Sequence, residues 1–459
     1  MLTNLRLSLS ALLVFAVHAS AEAASVLMIS VDGMKPEYVL QADAHGLKVP
    51  CLRSFIANGT YADGVVGVWP TVTYPSHTTL VTGVLPAQHG ILANLQFDPR
   101  HLFEDAWFWY ASEIKVPTLW QAAHEKGLVT ASIGWPVTVG ATGIDYLIPE
   151  YWRSSGPTDD LDPSERSLIA SMSQPSGLLA RLQSSAGLYM KGNDTTVHGD
   201  DIKTRYAVEL LHQNKPAFMT VHLSSLDDAE HDHGVFSPEA NRSLEAIDTM
   251  VAALAAAARA NDPSTVLVVV SDHGFTPMHH EINLYVPFIE AGLMMTRTNP
   301  ETQRLEVASW RAQPWLADGM AAIMLHDPQD STTRASVAKL LHTLAADSKN
   351  GIAAIKTRDE IKPLGAFPDA EFLVVFKPGF DAGEHLTGGI LGIVRGNHGD
   401  HGFSPEYPDM RSSFFATGEG IAAHRDLGVI RMLQIAPSVA RILGVDLSDA
   451  KAPPLDLMP

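Results

Sequence analysis

Three short apolar runs stand out along the chain, and each leads to an aspartate. Val26 to Val31 precedes Asp32, Ala217 to Leu223 lies shortly before Asp227, and Val266 to Val270 shortly precedes Asp272. The runs are rich in β-branched residues and unpunctuated, which predicts strands buried on both faces of a parallel sheet. Helical patterns separate them. Pro50 to Ala57 predicts a helix with proline near its start and Gly59 after its end. Pro117 to Lys126 predicts another, closed by Gly127, followed by a strand from Leu128 to Ile133. Ile202 to Leu211 is amphipathic, and Ser243 to Ala260 is a long Ala-rich helix. Each leads into one of the apolar strands. Strand and helix alternate from residue 25 to about residue 275, as expected for an α/β fold with a mostly parallel central sheet flanked by helices.

The rhythm breaks twice. Ser154 to Asp200 is richer in Ser, Gly, Pro and Asp and reads as loop and short helix over the site. From about residue 285 to 375, strand-like Ala321 to Leu325, helical Ser336 to Leu344 and strand-like Phe372 to Phe376 read as a small α+β insertion. The core then resumes with a strand at Ser412 to Thr417 and a closing helix at Met432 to Leu443, ended by Gly444. The pattern predicts one domain over residues 24–459, carrying that insertion.

Composition narrows the function. The chain has 459 residues and 46% hydrophobic content, ample for a large core. A formal net charge of -19 argues against a nucleic-acid polymer as partner, which needs basic patches. A small anionic substrate stays open, because bound cations reverse a local field. Residues 1–23 read as a signal peptide. Arg6 supplies a positive start, Leu7 to Val17 a short apolar run, and Ala19-Ser20-Ala21 or Ala21-Glu22-Ala23 a cleavage site. That run is too short to span a bilayer comfortably. Periplasmic or secreted location without a stable membrane anchor is the expectation. Cys51 is the only cysteine, so no intrachain disulfide forms. The oligomeric state stays open.

In open α/β sheets, ligands sit outside the carboxyl ends of the strands. Asp32, Asp227 and Asp272 should therefore converge on one edge. Packed carboxylates repel, so such a cluster usually holds cations. His231 follows Asp227 by four residues, which puts both on one helical face if the segment turns there. His273 adjoins Asp272. His398 and His401 lie in Gly396 to Phe403, read as a Gly-rich loop. In Trp69 to Gly83, Pro75 can begin a helix running to about Thr82, with Gly83 as its cap. Thr73 would lie just before that helix, where free N–H groups favour an alkoxide or a phosphate oxygen. A threonine hydroxyl there is otherwise an ordinary helix cap, and it becomes a nucleophile only when a metal lowers its pKa.

The ordered set of Asp32, the segment from Pro70 to His77, Asp227 with His231, Ser271-Asp-His-Gly274 and His401-Gly-Phe403 resembles the nucleotide pyrophosphatase/phosphodiesterase family. That family belongs to the alkaline phosphatase superfamily, and the resemblance spans about residue 25 to 445. Five motifs in order are far more specific than any one. The resemblance implies an alkaline-phosphatase-like core, two zinc ions and a threonine nucleophile. By motif, Thr73 is the nucleophile and Thr71 scaffold. One zinc would be held by Asp32, Asp272, His273 and the Thr73 oxygen, the other by Asp227, His231 and His401. Asn94 would donate to a phosphoryl oxygen. Tyr74 and Trp135 would offer a surface to the substrate. Glu230 stands where the family usually has glycine, with Asp228 and His233 nearby.

The resemblance implies hydrolysis of phosphodiester or pyrophosphate bonds through a phosphothreonine, with a small phosphodiester or nucleotide as substrate. A sulfatase of the superfamily needs a C/S-x-P-x-R segment, which Cys51-Leu-Arg-Ser54 is not. A phosphomonoesterase, phosphomutase or phosphonate hydrolase shares the ligand set. Gly134 to Gly140, where related monoesterases would place a Lys-x-Arg pair, contains no cation, which favours diesters. A non-catalytic metal-binding protein would lack the nucleophile or a ligand.

Overall fold

The computed structural model describes residues 24–100, 102, 106–153, 163–189 and 194–459. The expected leader at 1–23 lies outside them, as do residues 154–162. An eight-stranded sheet forms the centre. Its strands are β1 (Val26–Val31), β2 (Thr60–Tyr61), β3 (Thr130–Ile133), β4 (Tyr146–Ile148), β5 (Phe218–Leu223), β6 (Val266–Val270), β7 (Phe414–Thr417) and β8 (Arg425–Asp426). Their spatial order is β8-β2-β7-β6-β1-β5-β3-β4. β1 pairs in parallel with both β5 and β6. β7 pairs antiparallel with β6 and β2.

β1, β5 and β6 are buried at every position. The strand period of two sends their side chains into separate cores. Leu27, Ile29 and Val31 join Leu244, Val251 and Leu254 on one face, and Val26 and Met28 join Trp120, Ile435 and Val439 on the other. Five helices matter for the site: α1 (Thr73–Thr82), α2 (Val197–Asn214), α3 (Ser225–His233), α4 (Pro238–Asn261) and α5 (Ile435–Leu443). α2 and α4 cover the first face, α1 and α5 the second. α4 begins five residues before the expected Ser243. The Ser237 hydroxyl accepts the Ala240 N–H, and Pro238 fits the first position.

The stretch expected as loop and short helix holds two helices, Pro163–Met172 and Leu178–Ala186. Within 285–375, Ala312–Ala317, Met320–Leu325, Ile352–Thr357 and Phe372–Phe376 form a four-stranded antiparallel sheet. The helix Ser331–Ala346 packs Val337 and Leu341 against it. The Gly-rich stretch near the C-terminus is not a loop up to Asp400. It lies in the strand Leu391–Asp400, which pairs His398, Gly399 and Asp400 with Met278, Pro277 and Thr276. Backbone pairing does not depend on side-chain pattern, so alternation gave no sign of it.

Candidate active site

The strand ends bring the predicted carboxylates together. Asp32 follows β1, and its N–H donates to Leu223 at the end of β5 (2.9 Å). Asp272 follows β6, and its Oδ1 accepts from Gly33 N–H (3.2 Å) and the Ser271 hydroxyl (3.3 Å). α3 starts directly after β5 and carries Asp227 and His231 on one face, with Nε2 to Oδ2 at 3.5 Å. His273 Nε2 lies 3.3 Å from Asp32 Oδ1, 3.2 Å from Asp272 Oδ2 and 3.3 Å from Thr73 Oγ1. His401 stacks on His273 at 3.7 Å between ring centroids, and its Nε2 stands 3.8 Å from Asp227 Oδ1. His398 stays outside this cluster and contacts the His231 carbonyl.

Thr73 is the first residue of α1 rather than the residue before it, and Pro75 is the third. Proline is tolerated there because first-turn N–H groups have no partner inside the helix. His77 pins this helix start: its Nδ1 lies 2.9 Å from Thr73 O and its Nε2 2.9 Å from Ser30 Oγ on β1. Gly83 closes the helix at φ 71°, where a Cβ would meet Ala450 at 2.7 Å. Asn94 Oδ1 accepts the Tyr74 N–H (2.9 Å), which leaves its amide nitrogen as the donor end.

Electrostatics suit a metal. Asp32 Oδ1, Asp272 Oδ2 and Asp227 Oδ1 are buried without a hydrogen-bond partner, and a buried unpaired carboxylate oxygen is costly. Burial pushes Asp32 far above the usual carboxylate range, with Asp227 adding to it. Burial and then Asp32 do the same to Asp272. Burial, then His401, hold His273 far below the usual histidine range. Burial also lowers His231, but Asp227 and Asp400 outweigh it and raise the ring to about 9. Among the described residues, ligand atoms of Asp32, Asp272 and His273 lie within 4.8 Å of one another, as do those of Asp227, His273 and His401. Carboxylate and imidazole donors fit zinc. Glu230 does not enter this set. It is buried, and its Oε1 accepts from the Tyr38 hydroxyl at 2.7 Å. Asp228 accepts from the Thr195 hydroxyl.

A cavity of about 170 Å³ opens beside Thr73, Asp32 and Asp227. Tyr74 borders it, packs on Trp107 at 5.2 Å and donates its hydroxyl to Glu150 Oε1 at 2.7 Å. Trp135, expected against the substrate, has no exposed surface and does not reach the cavity. It packs edge-on against His77 and Trp120 in the core below α1. Trp107 and Trp152 border the cavity instead. Sequence reasoning missed both, along with Glu150, His222 and Lys203. The signals were the cluster Trp107-Phe-Trp109-Tyr110 and a lone histidine inside the apolar run of β5. Lys203 brings to the cavity the cation that Gly134 to Gly140 lacks, since its side chain lies against Gly134. Asp200 matches that charge at 3.0 Å.

Residues 26–404, well over half of the chain, match the family of type I phosphodiesterases / nucleotide pyrophosphatases. The chain belongs to this family. It is 24% identical over 268 residues to ectonucleotide pyrophosphatase/phosphodiesterase family member 1 of Mus musculus, covering 56% of this chain and 24% of that protein. It is 29% identical over 128 residues to a bis(5'-adenosyl)-triphosphatase of Mus musculus, covering 26% of each. The chain thus spans about a quarter of the length of these curated relatives. Murine ectonucleotide pyrophosphatase / phosphodiesterase 5, solved as an inactive threonine-to-alanine variant in complex with AMP, superposes with a TM-score of 0.61. That match covers 95% of this chain and 100% of the other at 17% identity, a likeness of fold. Among the described residues, no helix is long and apolar enough to cross a membrane.

Proposed function

We propose that the protein is an exported, zinc-dependent phosphodiesterase/nucleotide pyrophosphatase that cleaves phosphodiester or pyrophosphate bonds through a phosphothreonine. One observation carries this reading. Thr73 Oγ1, at the first residue of α1, lies 3.3 Å from His273 Nε2, beside the unpartnered oxygens of Asp32 and Asp272. Asp32, Asp272, His273 and Thr73 are assigned to one zinc, and Asp227, His231 and His401 to the other. When bound, the ions would lower the pKa of the Thr73 hydroxyl and of water and offset phosphoryl charge.

The chain's own residues do the rest. Thr73 Oγ1 gives up its proton and attacks phosphorus, the P–O bond to the departing alcohol or phosphate breaks and that group leaves with a proton. Water then hydrolyses the phosphothreonine, releasing the phosphoryl product and restoring the Thr73 hydroxyl. The Asn94 amide and the Thr73 N–H at the start of α1 donate to the equatorial oxygens. Tyr74, Trp107 and Trp152 bound the space for the substituent that does not react, and the AMP complex of the murine relative supports a nucleotide as substrate. Residues 24–459 are read as a single catalytic domain with its insertion at about 285–375. Export is supported by the leader-like residues 1–23 and by the ecto-enzyme naming of the relative.

Diesters are preferred over monoesters. A monoester dianion needs an extra cation, and the charge of Lys203 is already matched by Asp200. The test compares kcat/KM for bis-p-nitrophenyl phosphate and p-nitrophenyl phosphate, corrected for intrinsic reactivity. A corrected preference for the monoester would move the protein to the phosphatase branch.

A further inference from the structure

We propose that Glu150 and His222 form a hydrogen-bonded relay that positions Asp32 and thereby sets how tightly the metal at Asp32, Asp272 and His273 is held. The proposal rests on the two-metal reading above. His222 is the next-to-last residue of β5 and lies opposite Ser30 of β1. It is 2% exposed. Its strand neighbours Val221 and Leu223 face the α2–α4 core, so His222 faces the α1 side. There its ring stands 4.5 Å from that of His77.

Each atom of the imidazole that can bond is used. Nδ1 lies 3.0 Å from Gly134 O and 3.1 Å from Glu150 Oε2. Both are acceptors, so the hydrogen on Nδ1 is held and the ring direction is set. Gly134 adopts φ 65°, a left-handed turn suited to glycine, at the residue whose carbonyl meets His222. Glu150 is fixed in turn, because its Oε1 takes the Tyr74 hydroxyl at 2.7 Å. With the ring so held, Nε2 sits 2.8 Å from Asp32 Oδ2, which is an acceptor as well, so the ring donates from both nitrogens.

Asp32 is therefore divided by function. Oδ2 is tied to His222. Oδ1 has no hydrogen-bond partner and faces His273 Nε2 at 3.3 Å. A carboxylate anchored through one oxygen presents the other in a fixed direction, which is what a metal site needs from its outer partners. The chain of contacts runs Tyr74, Glu150, His222, Asp32 and returns to Thr73 beside His273. A histidine that merely satisfied itself in the core would need no carboxylate at both ends. His222 and Glu150 are positioning residues, since they act on the site through Asp32.

The test is chelator competition on zinc-loaded wild type, His222→Ala, His222→Gln and Glu150→Ala, with folding checked by circular dichroism. In His222→Ala, one of two zinc ions should bind about 10–100-fold more weakly, while the other keeps its wild-type affinity. His222→Gln should recover most of the loss, because its amide N–H reaches toward the place of Nε2. Glu150→Ala should show a smaller loss at the same ion, since the Gly134 carbonyl still holds Nδ1. kcat should fall with the affinity while KM holds. If His222→Ala does not fold, Glu150→Ala decides by the same criterion. Wild-type affinity at both ions, or equal weakening of both, overturns the relay. A wild type that does not bind two ions overturns the metal reading itself.

Discussion

His89 should make the protein lose stability in mild acid. It closes the short helix Pro86–His89 and has no exposed surface. Its Nδ1 accepts the Ile91 N–H at 3.1 Å, and its Nε2 lies 3.1 Å from Thr79 Oγ1, which donates to Val84 O. Thr79 belongs to α1, so this ring supports the helix that presents Thr73. A neutral ring with its hydrogen on Nε2 fits every neighbour. A second proton on Nδ1 would face an N–H. Burial accordingly pulls the ring down to about 3 from the usual 6.5. The folded form thus binds this proton more weakly than the unfolded chain. Stability is present in full above pH 6.5 and is lost as pH falls from there toward 3. Integrated from pH 7 to pH 5, the loss from this one group is about 2 kcal/mol. Burial also raises other groups, Asp318 to about 7 and Asp400 to about 6, and these act in the opposite direction. A difference measurement removes them. Urea unfolding of wild type and His89→Asn at both pH values supplies it, because asparagine keeps an acceptor for the Ile91 N–H and does not titrate. Wild type should lose about 2 kcal/mol more than the variant between pH 7 and pH 5. Parallel pH dependence of the two proteins would refute the argument.

Thr73→Ala should leave a folded, zinc-loaded protein with activity lowered by several orders of magnitude. Near-normal turnover in that variant, with a dead Thr71→Ala, would reverse the assignment; Thr71 is buried and donates its hydroxyl to Phe403 O at 2.6 Å, as scaffold does. Elemental analysis should find two zinc ions per chain, and His401→Ala should retain one; a single ion in wild type contradicts the scheme. Trp107→Ala should raise KM for nucleotide esters more than it lowers kcat, because Trp107 borders the cavity and is not among the groups assigned to the reacting phosphorus; a loss confined to kcat would place the substrate elsewhere.

The strands that carry the site were written in local pattern. β1, β5 and β6 are buried on both faces, and that condition leaves an unbroken apolar run in the chain. Their parallel pairing then sends Asp32, Asp227 and Asp272 to one edge, so the carboxylate cluster followed from the strands alone. The α3 turn that joins Asp227 to His231 was readable from spacing. Packing decided what spacing does not encode. Trp135 and Trp107 are the same residue type, yet one is sealed against Trp120 and the other borders the cavity. The strand reaching Asp400 pairs with residues more than a hundred positions earlier, and no side-chain alternation marks it. His222 looked like one polar interruption in an apolar strand. Its partners Glu150 and Asp32 lie 72 and 190 positions away, and only the closed fold brings three such distant groups within hydrogen-bond reach. Periodicity records which way a residue faces, while the neighbours it meets are set by how the separate elements pack.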